Sequence, residues 1–354
     1  MNRPPGYAAF WTASSDGSSW YRADQPAAAL GWRGHKTWVS EVLPATVASR
    51  AQAIVGSRVS LEGPSQTWAE LAGRSDGPRL ILDLDDDYFG VEKRNENAYR
   101  YWSRPDVQDR LRANCRLADA IVVASERIGE AVVENALNLG SGLTQKWPEI
   151  VVIENGLHAG LLSVPRDYDP EVLTIGWAGT SATAHDFDLV APALDKIMEY
   201  CGRVGREAKL ALIGLPVSNP WLRKLGERWP VEHAEWVAPT ERYHSAVFPF
   251  DIWVAPYRGN SFTDAKFPTK ALEAGFMGIP LIASDIVPYR GWAPPGGGIL
   301  TVPEHQPWLW GRYLKALVDS PETRRTMGEA ARSRAALNIL QDRASQWEDV
   351  LFGA

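Results

Sequence analysis

Lys266, Lys270 and Glu273 stand four and then three residues apart, a spacing that lines side chains up along one side of a helix. Pro268 fits the first turn of such a helix, where its missing N–H costs nothing, and Gly278 followed by Pro280 fits its end. A helix start with exposed N–H groups beside Lys266 and Lys270 is suited to a diphosphate, and the Glu273 carboxylate could accept hydrogen bonds from a pair of ribose hydroxyls. The same spacing equally fits a solvated helix face carrying a Lys270–Glu273 ion pair.

A second stretch, Ile175 to Asp186, runs from a strand through a small-residue loop into a helix. Gly179, Thr180 and Ser181 would let backbone N–H groups and hydroxyls approach phosphate oxygens closely. A tight strand-to-helix turn capped by Thr183 or Ser181 accounts for the same residues. The loop is neither a Walker A loop nor a GxGxxG fingerprint. His185 opens the following helix, where a phosphate or a sugar hydroxyl could reach it, although a lone histidine is more often a satisfied structural residue.

In Leu80 to Phe89 an apolar strand runs into the carboxylates Asp83, Asp85, Asp86 and Asp87. They look like a metal-binding DxD, but they also fit hydrogen bonding on an acceptor side and simple helix capping. Near the N-terminus, Arg22 is placed to pair with a phosphate or with this acidic cluster, or else to pack the first helix together with Tyr21. Trp20, Tyr21, Tyr88 and Trp102 are candidates for stacking on a sugar or a base. The six histidines form no HExxH, and no GxSxG elbow accompanies them, which removes support for metallohydrolase and serine-hydrolase chemistry.

These residues have to be held by an alternating scaffold. Short apolar strands are expected at Tyr7–Thr12, Lys36–Ser40, Ala53–Val55, Arg79–Leu84, Ala120–Ala124 and Ile150–Ile153. The alternation restarts with Val172–Trp177, Lys209–Ile213, Ala234–Val237, Asp251–Ala255, Pro280–Ala283 and Ile299–Val302. Helices are expected between them, among others at Ser19–Leu30, Gln66–Ala72, Asp106–Leu117, Glu126–Leu137 and His185–Cys201. Only helices follow Val302, at Pro307–Val318, Pro321–Leu337 and Asp342–Leu351. The pattern predicts two successive parallel α/β halves, and Leu157 to Pro170 reads as the linker. In such sheets ligands bind beyond the carboxyl ends of the strands, which singles out Asp85 to Asp87, Ser125, Asn155, Gly179 to Ser181, Tyr257, and Ser284 with Asp285.

At 354 residues the chain can bury two cores, and 45% hydrophobic with 23% charged residues is an ordinary globular balance. No run reaches the roughly 18 apolar residues of a membrane span, and MNRPPGYAAFW lacks the apolar core of a secretory signal, so a cytoplasmic protein is expected. The net charge of -6 argues against affinity gained by blanketing a nucleic-acid backbone. Cys115 and Cys201, the only cysteines, lie too far apart in sequence for a CxxC pair.

Taken in order, these stretches resemble the retaining, two-Rossmann-domain (GT-B) glycosyltransferases related to glycosyltransferase family 4, over nearly the full length. The resemblance is carried by Trp20 to Arg22 with Pro26 and Gly34-His35, Asp83 to Asp87, Ala118 to Ser125, Val152 to Gly156 and Ile175 to Gly179. It continues through Asp251 to Pro256, Lys266, Lys270, Glu273 and Gly278 to Pro280. It implies an α/β fold of two Rossmann-like domains facing each other across a cleft, with C-terminal helices returning to the N-terminal domain. Residues 1–157 would be the acceptor domain, 158–335 the nucleotide-sugar donor domain and 336–354 the returning helix.

The resemblance also implies a reaction: transfer of a sugar from a nucleotide diphosphate sugar to an acceptor hydroxyl, with retention of anomeric configuration. Gly179, Thr180, Ser181, Lys266, Lys270 and Glu273 would bind the donor. Tyr21, Arg22, Asp87 and Ser125 would lie on the acceptor side, and Asp85, Asp86 and His185 are the candidate catalytic groups. The nucleotide sugar is a co-substrate, and neither a cofactor nor a divalent metal is expected. The acceptor stays open among a glycan, a lipid-linked sugar, a protein and a modified DNA base, and the oligomeric state between monomer and homodimer. Two sites depart from the family pattern: Ala265 stands where an acid often precedes Glu273, and Glu154 replaces the proline of a Pro-Asn-Gly turn. A nucleotide-sugar-binding protein without turnover and a GT-B epimerase or phosphorylase are the other readings.

Overall fold

The structure is a computed structural model that describes residues 5–137, 147–180, 182–235, 240–293 and 298–353. Packing divides the chain into two units, one of Met1–His158 with Ala265–Phe267 and Asn338–Ala354, the other of Ala159–Asp264 with Pro268–Leu337.

The first unit holds a six-stranded sheet of β1 (Tyr7–Trp11), β2 (Lys36–Ser40), β3 (Ala53–Ser57), β4 (Arg79–Leu84), β5 (Ala120–Val123) and β6 (Glu149–Val152), ordered β2-β1-β3-β4-β5-β6. Every pairing is parallel. Helices cover both faces of such a sheet, so its inner strands read as continuous apolar runs, as in Ala120–Val123, buried throughout. Phe10, Val55, Ile81 and Val122 form its core with Trp347, Val350 and Leu351 of the C-terminal helix Leu340–Phe352. The Phe10 and Trp347 rings meet edge to face at 5.7 Å.

That helix is also held by charge. Glu348 accepts hydrogen bonds from Arg33 Nε at 2.7 Å and pairs with His35 Nε2 at 3.0 Å. Burial works to raise the Glu348 carboxyl, but the hydrogen bonds from His35 and Arg33 outweigh it and hold its pKa below the ordinary glutamate value. A depressed folded-state pKa gives stability that is present above the unfolded value and lost as pH falls through the folded one. Glu348→Gln should therefore cost about 1 kcal/mol at pH 7, and urea unfolding of the two proteins should show the gap closing as pH drops below about 4.

The second unit repeats the plan with β7 (Leu173–Ala178), β8 (Ala208–Ile213), β9 (Val231–Ala234), β10 (Ile252–Ala255), β11 (Leu281–Ser284) and β12 (Ile299–Val302), ordered β12-β11-β10-β7-β8-β9 and parallel throughout. Ile175, Leu212, Val254 and Ile282 pack under the helices Ala191–Val204 and Trp308–Asp319 through Leu194, Ile197, Leu314 and Leu317.

Several elements differ from the sequence expectation. The strand expected at Ala234–Val237 lies at Val231–Ala234, and residues 236 and 237 are outside those described. As an edge strand paired only with β8, it lacks the buried apolar run that marks the others. The single helix expected over Ser19–Leu30 is a π-helical turn, Trp20–Asp24, followed by Gln25–Trp32. The one expected over His185–Cys201 is a 3₁₀ segment, Ala184–Leu189, and then Ala191–Val204, which restarts with Pro192 in its first turn. Helices at Glu96–Trp102, Pro220–Gly226, Thr240–Val247 and Val287–Trp292 were not anticipated.

Candidate active site

Strand order fixes where each sheet opens. In the second, the chain runs outward from β7 through β8 to β9 and then returns to β10 on the other side of β7. The connections leaving β7 and β10 diverge, and ligands bind at such a switch point. Directly after β7 come Gly179 and Thr180; Ser181 lies outside the described residues. A Cβ at Gly179 would stand 2.6 Å from both Thr183 Oγ1 and the Trp177 ring, so the loop has room for glycine alone. Thr183 Oγ1 donates to the Thr180 carbonyl at 3.2 Å and accepts from the Thr180 N–H at 3.3 Å, which closes the turn. His185 is partly exposed, its Nε2 3.5 Å from Asp186.

Two residues beyond β10 comes Tyr257, whose N–H donates to Ser284 Oγ at the end of β11 at 2.8 Å. Lys270 and Glu273 lie on the helix Thr269–Met277, which begins one residue after Pro268 and ends in Gly278 with the positive φ of 67° that favours glycine there. Their side chains have different partners in the structure. Lys270 Nζ donates to the Tyr257 hydroxyl at 2.6 Å, and the buried Glu273 accepts from the Tyr243 hydroxyl at 3.4 Å. Burial, reinforced by the Glu273 charge, pushes the Tyr243 hydroxyl well above the ordinary tyrosine range and keeps it a donor.

Lys266 departs from the expected alignment with these two. It precedes the helix, belongs with the first unit, and places Nζ 2.5 Å from Asp86 Oδ1. Burial raises the Asp86 carboxyl above the aspartate norm, with the Lys266 charge holding part of that rise back.

The other carboxylates of this cluster each turn to a separate partner. Asp85 accepts from the Tyr88 hydroxyl. Burial works to raise it, but the Arg58 charge and hydrogen bonds from Ser18 and Tyr88 prevail and hold it below the usual range. Asp87 takes the N–H groups of Phe89 and Gly90, both at 3.0 Å. Asp83 is fully inside, bonded by Arg22 Nε at 3.0 Å and Nη2 at 2.7 Å. Burial nonetheless lifts its pKa to about 6. Among the described residues no group of three or more His, Cys, Asp or Glu converges in a way that could hold a metal.

Two residues expected on the acceptor side are buried. Arg22 is 2% exposed and also donates to the Ile153 carbonyl at 2.6 Å and to Asn155 Oδ1 at 3.1 Å. Tyr21 is buried edge to face against Trp20, with ring centroids 4.7 Å apart, which also removes Trp20 as a stacking surface. Ser125 caps the helix Glu126–Val132 and donates to the Ala265 carbonyl at 2.5 Å. Glu154, in place of the proline, accepts from Asn338 Nδ2 at 2.7 Å and from Arg343 Nη2 at 3.0 Å, fixing the chain's return before the C-terminal helix.

Arg58 was missed. It follows β3 immediately, and the strand-end rule would have flagged it had β3 not been expected to stop at Val55. It donates to Ser14 Oγ at 2.5 Å, Asp16 Oδ2 at 2.8 Å and the Tyr88 hydroxyl at 3.3 Å.

No family model matches the sequence, and no curated protein does. Solved structures do match in fold. The chain aligns with Anabaena HepE in complex with UDP and glucose at a TM-score of 0.65 and 12% identity, covering 99% of this chain and 100% of that one. Sucrose-phosphate synthase from Thermosynechococcus elongatus aligns at 0.66 and 14% identity, covering 98% of each chain. WaaG, a glycosyltransferase involved in lipopolysaccharide biosynthesis, aligns at 0.65 and 12% identity, covering 98% of this chain and 100% of its own. The chain shares the two-sheet α/β fold of these GT-B proteins.

Proposed function

We propose that the chain is a glycosyltransferase that moves a sugar from a nucleotide diphosphate sugar to an acceptor hydroxyl, with retention of anomeric configuration. The observation that carries this reading is the pairing of Lys270 and Glu273 on one helix, Lys270 bonded to the tyrosine that follows β10, at the switch point of the second sheet. The end-to-end likeness in fold to proteins whose structures hold UDP or UDP-glucose supports it. The second unit would bind the donor and the first the acceptor.

Glu273 would accept from the ribose hydroxyls, with Tyr243 keeping its carboxylate in place. Lys270, together with the N–H groups of the Gly179–Thr180 loop and of the Thr269–Met277 helix start, would stabilise the diphosphate as it departs. In the transfer the bond from the anomeric carbon to the donor phosphate oxygen breaks and a bond to the acceptor oxygen forms. The acceptor proton passes to the leaving phosphate on the same face, so no enzyme nucleophile is required. Asp85, Asp86 and His185 would orient the reacting hydroxyls, and no divalent cation enters the scheme.

Incubation with UDP-glucose and candidate acceptors, read by mass spectrometry and by proton NMR of the anomeric centre, tests the reading. A product heavier by one hexose, linked with the donor's own configuration, is expected. Donor bound without any product would favour the binding-protein reading, which the missing acid at Ala265 favours; product without acceptor would mark an epimerase.

A further inference from the structure

The first sheet also has a switch point. The chain leaves β1 for β2 on one side and β3 lies on the other. Beyond the ends of these three strands, wholly within the first unit, is a cavity of ≈ 410 Å³ walled by Trp11, Leu61, Tyr101 and Trp102 with Glu41 and Arg58 as charged groups. This is within the roughly 300–1,000 Å³ of small-ligand pockets, with room for one or two sugar rings.

Three features say what it takes. Trp102 lies over Tyr88 at 4.1 Å and edge to face on Tyr101 at 5.0 Å, so the aromatic wall is rigid. Rigid aromatic faces suit the C–H faces of sugar rings. Arg58 is the only non-glycine residue among those described with positive φ, at 41°, and its bonds to Ser14, Asp16 and Tyr88 hold it there. Backbone strain that the surroundings over-determine concentrates at ligand sites. Finally, Arg58 is the one cation among the described lining residues, and Asp16 and Asp85 already face it, while Glu41 is exposed. A phosphate-bearing acceptor would meet no unmatched positive charge here.

We infer that this cavity is the acceptor subsite and that the acceptor is an uncharged saccharide end stacked on the half-buried Tyr101, which the buried Trp102 backs, with Glu41 accepting from its hydroxyls. The inference rests on the glycosyltransferase reading and narrows it to one acceptor class. Saturation-transfer NMR on the full chain with UDP present is the test, using methyl glucosides, galactosides and mannosides, maltose, cellobiose and lactose. At least one should bind; Tyr101→Ala and the cavity-filling Leu61→Trp should each weaken it tenfold or more, and Tyr101→Phe should retain it, with UDP affinity in all three within twofold of the parent.

Saccharide binding that survives both Tyr101→Ala and Leu61→Trp would overturn the assignment. So would silence from every saccharide while glucose 6-phosphate or an oligothymidylate binds and is lost in Tyr101→Ala. Silence from every probe with UDP still bound overturns the cavity assignment alone. Failure of UDP to bind, with saccharide binding still sensitive to the variants, leaves the cavity standing and removes the transferase reading.

Discussion

Glu273→Ala should lower kcat/KM for the nucleotide sugar by about two to four orders of magnitude, since two hydrogen bonds to a charged carboxylate are worth roughly 1.5–3 kcal/mol each. Lys270→Ala should cost a similar factor, but mainly in kcat, because the charge it meets grows as the diphosphate departs. Glu273 is only 3% exposed and accepts from Tyr243, so its truncation also leaves a buried hydroxyl without that acceptor. Glu273→Gln keeps the volume and separates the two effects: it should fold with the parent's Tm and still lose most of the donor's affinity. Steady-state kinetics alongside thermal melts decide the matter, and parental rates in both Lys270→Ala and Glu273→Gln would remove these residues from the site.

A second large effect concerns the fold. Arg22→Ala should destabilise the first unit by about 3–5 kcal/mol, the cost of stranding one member of a buried ion pair. Asp83 would lose the cation bonded to it, and the Ile153 carbonyl and Asn155 would lose a donor. The guanidinium also lies 5.5 Å over the Trp347 ring, so the loss would reach the C-terminal helix. Amide exchange should therefore speed up in β4, β6 and Leu340–Phe352 and change little in β7 through β12. The apolar pair Arg22→Met with Asp83→Leu should recover much of the loss, because the penalty comes from an unmatched charge and not from the absence of charge. Exchange unchanged in Arg22→Ala would show that the pair is not structural.

The inner strands were legible because they are buried on both faces: Arg79–Leu84 lies at its expected bounds and Ala120–Val123 ends one residue short of them. The edge strand β9, open on one side, was displaced by three residues for want of that signal. The rule that ligands gather at strand ends pointed to Asp85, Asp86, Gly179, Tyr257 and Ser284 as candidates. Long-range pairing was not legible. Lys266 meets Asp86 across 180 positions, Arg22 meets Asp83 across 61, and Tyr243 reaches Glu273 from a different helix. Nothing in an arginine's type announces a positive φ, so the strain at Arg58 became visible only in three dimensions.

Calorimetric titration of the full chain with UDP addresses the donor site by itself, without knowledge of the acceptor. Saturable binding at one site is predicted, about tenfold weaker in Lys270→Ala and in Glu273→Gln. Equal affinity in all three proteins, or no binding to the parent up to about 1 mM, would contradict a nucleoside diphosphate held by the second unit.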